Sequence, residues 1–266
     1  MQMPYLERPH HRLHYRVDAG GHDKAWLVFC NSLGTDLTMW DRQAEALKGQ
    51  FRILRYDRRG HGLSSSPPPP FSMADLGADV LQLMDHLGIG RAHFCGLSIG
   101  GLVGQWLAIN AAHRFDKMVL CATAVRIGTT QSWTERMKAV SAQGLAPLRA
   151  GTVERWFTPA FVAEAPDVIE ACVAAFQATS IDGYVGGCAA LADADFHASL
   201  SSISCPVLAI SGADDPVCPP SDLERIATGV ANGCHLSLPG RHIVNIESAK
   251  RFNQALAGFL GTEAIV

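Results

Sequence analysis

One stretch constrains this chain more than any other: Ala92-His93-Phe94-Cys95-Gly96-Leu97-Ser98-Ile99-Gly100-Gly101-Leu102-Val103. An apolar run leads into Gly-x-Ser-x-Gly, and a helix-forming run to Ala108 follows. The pattern predicts a strand, a sharp turn and a helix, with Ser98 at the apex. A serine on so tight a turn has strained backbone dihedrals. Neighbours with a Cβ would clash there, and Gly96 and Gly100 remove that clash. The turn lifts the hydroxyl above the sheet and leaves backbone N–H groups at the helix start facing any anion that forms beside it.

The rest of the chain repeats the strand and helix rhythm. His11–Val17 alternates polar and apolar side chains and reads as a strand with one face in water. Ala25–Cys30 and Phe51–Tyr56 are strand-length runs suited to the middle of a sheet. Pro67–Pro70 form a rigid surface connection. Ser72 with Asp75 then resembles a capping box, opening a helix whose stripe is Leu76, Val80, Leu83, Met84 and Leu87 and which Gly88 ends. Lys117–Ala122, Pro206–Ser211 and Cys234–Leu238 read as further strands, and Glu247–Leu260 as a terminal helix. Such alternation makes a mostly parallel sheet covered by helices on both faces. Between Thr123 and Ser201 the rhythm breaks into helices only: 131–142, 146–156, 159–163, 168–179 and 184–192. The expected organisation is a core domain from 1–122 and 202–266, with a helical lid at 123–201.

Composition narrows the function classes. Nearly half of the 266 residues are hydrophobic and under a fifth charged, which suits a large buried core. A net charge of −3, with basic residues scattered, gives no support for nucleic acid or an anionic membrane surface. The first eight residues, Met1 to Arg8, lack an apolar signal core, and no run is long enough to span a bilayer. The eight cysteines include no C-x-x-C pair, and Cys30, Cys95, Cys121 and Cys205 sit in or beside strand-like runs. They read as free thiols in a reducing cytoplasm.

A serine hydroxyl is a weak nucleophile near neutral pH and needs a base, itself oriented by a third group. Both follow strands late in the chain. Ser211-Gly212-Ala213-Asp214-Asp215-Pro216 offers two carboxylates, and Pro239-Gly240-Arg241-His242 offers an imidazole. Asp57 and His61, in Tyr56-Asp57-Arg58-Arg59-Gly60-His61-Gly62-Leu63-Ser64, also look catalytic. His10, His11, His14 and His22 read as solvated.

These blocks together resemble the α/β-hydrolase family: the Gly96–Gly100 turn, the Tyr56–Ser64 segment, Gly212–Val217, and Gly240-Arg241-His242 before a terminal helix. The resemblance covers nearly the whole chain. It implies the α/β-hydrolase fold, a catalytic triad of Ser98, Asp215 and His242, and no metal or cofactor. It selects Asp215 over Asp214 and makes the Asp57–His61 segment a structural turn bracing the elbow, the tight turn that carries Ser98. It also implies an oxyanion hole from the backbone N–H groups of Ile99 and Leu33. Relatives often carry His-Gly at the start of the second loop, where this chain has Asn31-Ser32.

A narrower resemblance, to the 3-oxoadipate enol-lactonases, rests on Asn31–Asp36 with Met39-Trp40, on Cys121–Gly128, Trp133 and Arg155–Thr158, and on Asp182-Gly183-Tyr184 with Cys188-Ala189-Ala190. It implies a small anionic lactone as substrate, opened to 3-oxoadipate in aromatic-compound catabolism. A free substrate carboxylate needs a cationic partner in a dry pocket. Arg126 is the first candidate and Arg136 or Arg155 the reserve, with Trp133 and Trp156 as candidate walls. A carboxylesterase, a cofactor-free haloperoxidase-like perhydrolase, or a ligand receptor on the same scaffold are the alternatives.

Overall fold

The computed structural model describes residues 4–18, 20–21 and 23–261. Met1 to Met3 of the leader reading and His22 therefore lie outside the described residues. Among the described residues eight strands form one sheet: β1 (Tyr5–Glu7), β2 (Arg12–Asp18), β3 (Trp26–Cys30), β4 (Arg52–Tyr56), β5 (Ala92–Leu97), β6 (Phe115–Cys121), β7 (Val207–Gly212) and β8 (Gly233–Leu238). Their spatial order is β1-β2-β4-β3-β5-β6-β7-β8. β2 pairs antiparallel with β1 and β4, and the remaining pairs are parallel. The order reverses at β3, because the chain steps to β4 on one side and returns to β5 on the other. In open sheets of this kind the loops at such a reversal separate and leave a crevice beyond the strand C-termini. The loop after Cys30 and the turn at Ser98 flank that crevice.

Alternation along the strands divides the core. Val28, Leu54, Phe94 and Met118 face one layer, together with Leu76, Val80 and Leu83 of α2 (Met73–His86 after α1, Asp41–Leu47) and Leu102, Val103 and Leu107 of α3 (Ile99–Asn110). Leu27, Phe29, Ile53 and Val119 face the other, where Ala44 and Leu47 of α1 pack. The capping box at Ser72 is present, with the Ser72 N–H donating to Asp75 Oδ2 at 2.8 Å and the Asp75 N–H to Ser72 Oγ at 3.1 Å.

Five helices lie between β6 and β7: α4 (Thr130–Gln143), α5 (Arg149–Trp156), α6 (Pro159–Glu164), α7 (Pro166–Ala178) and α8 (Ile181–Asp193). α4 packs along α8, while Trp156, Val173 and Phe176 join the second core layer. The C-terminal part holds α9 (Pro220–Gly229), α10 (Val244–Glu247) and α11 (Ala249–Gly261). Phe252, Leu256 and Leu260 of α11 also close the second layer. The terminal helix expected from Glu247 thus begins earlier, at Val244, and breaks at Ser248. Two elements escape the sequence reading: β1, which has only three residues, and α9, which opens just after Pro219 on Pro220. Among the described residues no helix is long and apolar enough to cross a membrane.

Candidate active site

Ser98 sits between β5 and α3 with φ 60° and ψ −119°. Few non-glycine residues adopt this conformation, and it costs about 1–3 kcal/mol. The surroundings hold it: the Ser98 N–H donates to the Cys121 carbonyl at 2.9 Å, and Thr123 Oγ1 donates to the Ser98 carbonyl at 2.8 Å. The two flanking glycines are required by close approach. A Cβ on Gly96 would lie 2.1 Å from the Gly100 carbonyl oxygen, and one on Gly100 would lie 2.3 Å from that of Cys30. The start of α3 therefore abuts the end of β3. Ile99 is the first residue of α3, so its N–H has no intrahelical acceptor.

The loop leaving β3 is held from β4 and the turn after it. Asn31 Nδ2 donates to the Tyr56 carbonyl at 2.9 Å, and Trp40 Nε1 donates to Asn31 Oδ1 at 3.0 Å. The Gly34 N–H donates to His61 Nε2 at 3.0 Å, and the Leu37 N–H to Asp57 Oδ1 at 2.7 Å. Between these anchors the Leu33 N–H finds no acceptor among the described residues. Asp57 and His61 thus brace the loop after β3 rather than the elbow. His14, expected in solvent, is buried with its Nδ1 2.7 Å from Asp57 Oδ2, and His11 lies 3.2 Å from Asp79. The partners of both histidines come from segments far along the chain, which a local reading cannot see.

Asp215 and His242 stand beyond the C-terminal ends of β7 and β8. Asp215 Oδ2 lies 2.9 Å from His242 Nδ1, while Oδ1 accepts the N–H groups of Val217 at 2.8 Å and Cys218 at 3.2 Å. Both side chains are buried, whereas Asp214 is exposed. The histidine loop is tied to the helical insertion: the Ile243 N–H donates to the Trp156 carbonyl at 3.1 Å, and the Arg241 guanidinium donates to the Glu154 carbonyl. Asp215, Cys218 and His242 form the one group among the described residues whose spacing suits a metal ion. Their donor chemistry is a poor match. The carboxylate is engaged at both oxygens, and burial pushes the Cys218 thiol well above its usual range, which keeps it protonated.

Ser98 and His242 line a cavity of about 80 Å³, together with Leu33, Trp133 and Trp156. Among the described residues no hydrogen bond yet joins the Ser98 hydroxyl to the imidazole; such bonds are often long in free enzymes and tighten with substrate. Trp133 Nε1 donates to the Ile127 carbonyl at 2.6 Å, which fixes the indole in the wall. Arg126 does not reach this cavity. It lies on the surface, 3.2 Å from Asp195 Oδ2 and 3.2 Å from the Thr130 hydroxyl, so its charge is already answered. Arg136 and Arg155, the reserve candidates, both line it, with Thr152 and Tyr184. Neither makes a carboxylate ion pair among the described residues, and burial, then the neighbouring Arg136, lower the Arg155 pKa. Burial pushes the Tyr184 phenol up to about 12, so it stays protonated as a neutral wall. A larger apolar groove of about 510 Å³ runs behind Trp156, past Met39 and Cys172, and contains none of Ser98, Asp215 and His242.

The family model described as the alpha/beta hydrolase fold matches residues 25–145. Across 237 residues the chain is 41% identical to 3-oxoadipate enol-lactonase 2 of Acinetobacter baylyi, covering 89% of each protein. The chain belongs to the α/β-hydrolase family. Among solved structures it is similar to the enol-lactonase from Burkholderia xenovorans, at 40% identity and a TM-score of 0.95 over 97% of this chain and 100% of that one. It is similar also to a hydrolase from Pseudomonas aeruginosa, at 43% identity and a TM-score of 0.94 over 98% of both chains. Covering 97–98% of this chain, both structural matches run through the helical insertion.

Proposed function

We propose that this hydrolase opens 3-oxoadipate enol-lactone to 3-oxoadipate in the catabolism of aromatic compounds, in the cytoplasm, where its eight free thiols would stay reduced. The observation that carries the reading is the pair Arg136 and Arg155 on the Ser98 cavity, without a carboxylate partner among the described residues, in a chain about two-fifths identical to enol-lactonases over most of its length. Two guanidiniums lining one small cavity repel each other unless an anion joins them, and the lactone brings one carboxylate.

Ser98 Oγ attacks the lactone carbonyl while His242 Nε2 takes its proton, and Asp215 stabilises the imidazolium through Nδ1. The N–H groups of Leu33 and Ile99 receive the oxyanion. Collapse breaks the acyl C–O bond and expels an enolate, less basic than an alkoxide, which takes the proton from His242. Water then attacks the acyl-serine with His242 as base and releases the acid, and the enol tautomerises to the ketone. At about 80 Å³ the cavity is narrower than most ligand sites, so residues 123–201 act as a lid that parts to admit the lactone.

The test is turnover of the enol-lactone, followed by loss of its conjugated ultraviolet absorbance and appearance of 3-oxoadipate. Purified protein that cleaves simple aryl esters but leaves the enol-lactone intact defeats the assignment in favour of a general esterase; binding without turnover of either points to a receptor.

The carboxylate role makes a separate prediction. Arg136→Met is expected to raise KM for the enol-lactone roughly 10–100-fold, the value of one charge-assisted hydrogen bond. KM for a neutral aryl ester should change little. Equal effects on both substrates would remove Arg136 from carboxylate binding, and Arg126→Ala serves as the surface control.

A further inference from the structure

Three successive basic residues near the site are treated differently by the fold. Arg55 is paired with Asp18 and Asp41, and Arg59 with Asp79. Arg58 is 1% exposed and has no carboxylate within ion-pair distance among the described residues. Its Nη2 donates to the Ser32 carbonyl at 2.8 Å and to His61 Nε2 at 3.1 Å, and its Nε is buried without a partner among the described residues. The same His61 nitrogen accepts the Gly34 N–H, so the ring carries its proton on Nδ1, 3.1 Å from the Arg59 carbonyl. Burial and the adjacent guanidinium hold the His61 pKa well below its ordinary value, which keeps the ring a neutral acceptor.

A buried cation without a counter-ion is unfavourable, and an apolar side chain of similar length would fill the space at lower cost. What the charge does is seen in its acceptor. The Ser32 carbonyl and the Leu33 N–H belong to one peptide unit. A cationic donor on the carbonyl oxygen draws electron density along the amide and makes the opposite N–H a stronger donor. It also fixes the plane of that peptide, while His61 fixes the next one through Gly34.

We propose that Arg58 is a positioning residue of the oxyanion hole, orienting and polarising the Ser32–Leu33 peptide so that the Leu33 N–H meets the developing oxyanion. This rests on the reading above that Leu33 is an oxyanion donor.

The test compares wild type with Arg58→Met and Arg58→Lys, with active sites titrated by a phosphonate so that rates are per competent enzyme. Three measurements are made: kcat and KM on an ester the enzyme turns over; affinity for a trifluoromethyl ketone that forms an oxyanion adduct at Ser98; and the Leu33 amide proton shift on adduct formation. For Arg58→Met we expect kcat to fall roughly 10–100-fold, less than the loss of a whole donor. KM should stay within about two-fold, ketone affinity should fall by the same factor as kcat, and the downfield shift at Leu33 should shrink. Arg58→Lys, which keeps the charge but not the fork, should recover part of each. Unchanged kcat and ketone affinity in the Met variant overturn the proposal, as does a loss confined to the titrated fraction of competent enzyme. If the Met variant does not fold, Arg58→Lys decides alone. A kcat loss of roughly 3–10-fold at constant KM supports the role, and wild-type kcat overturns it. A wild-type adduct that leaves the Leu33 proton unmoved overturns the donor reading itself, a result distinct from the Arg58 outcomes.

Discussion

Ser98→Ala is expected to lower kcat on the enol-lactone by roughly 10⁵–10⁶-fold, to the residual rate left by binding and the oxyanion donors. The reason is chemical: without the hydroxyl no acyl-enzyme forms, and His242 has no proton to take. The fold should not notice, because the Ser98 backbone bonds to Cys121 and Thr123 remain and its hydroxyl bonds to nothing among the described residues. Ser98→Gly sharpens the prediction. With φ at 60° and ψ at −119° the position suits glycine, so relief of about 1–3 kcal/mol of strain exceeds the extra chain entropy of about 0.5–1 kcal/mol. The glycine variant should be equally inactive yet unfold at a higher temperature than wild type. Retained turnover in either variant would dismiss Ser98 as nucleophile, and a lower melting temperature for the glycine variant would dismiss the strain argument.

Asp215→Asn should cost roughly 10³–10⁴-fold in kcat with little change in stability or KM. The asparagine oxygen can keep the N–H groups of Val217 and Cys218 that Oδ1 now accepts, and this leaves the amide NH₂ facing His242 Nδ1. That nitrogen must then accept, so the ring proton moves to Nε2, the atom that should receive the proton of Ser98. The enzyme would be intact but hold its base in the wrong tautomer. Nitrogen-15 shifts of the imidazole read this directly, and a variant with the wild-type tautomer and wild-type kcat would remove Asp215 from the mechanism. Asp214→Asn is the matched control; Asp214 is exposed and should be silent.

Much of this was legible in the residues alone, for a physical reason. A tight turn imposes its demand for glycine within five residues, strands and helices show their periods within ten, and the capping box at Ser72 closes over three. The elbow, seven of the eight strands and the all-helical stretch between β6 and β7 follow from such local rules. The order of serine, acid and histidine needed the family resemblance, which also pointed to Asp215 over its neighbour. What the sequence could not reveal is how charges separated by long stretches of chain are paired. Arg126 looked free, but Asp195 returns 69 residues later to neutralise it, while Arg136 and Arg155, no different from it on paper, are left facing the cavity. His14 looked solvated until Asp57 met it 43 residues on, and Asp57 and His61 proved to hold the loop after β3 instead of the elbow. Local geometry is set by short-range sterics and is written in neighbouring residues; whether a charge is answered or left waiting for a ligand depends on which distant side chain the folded chain brings beside it.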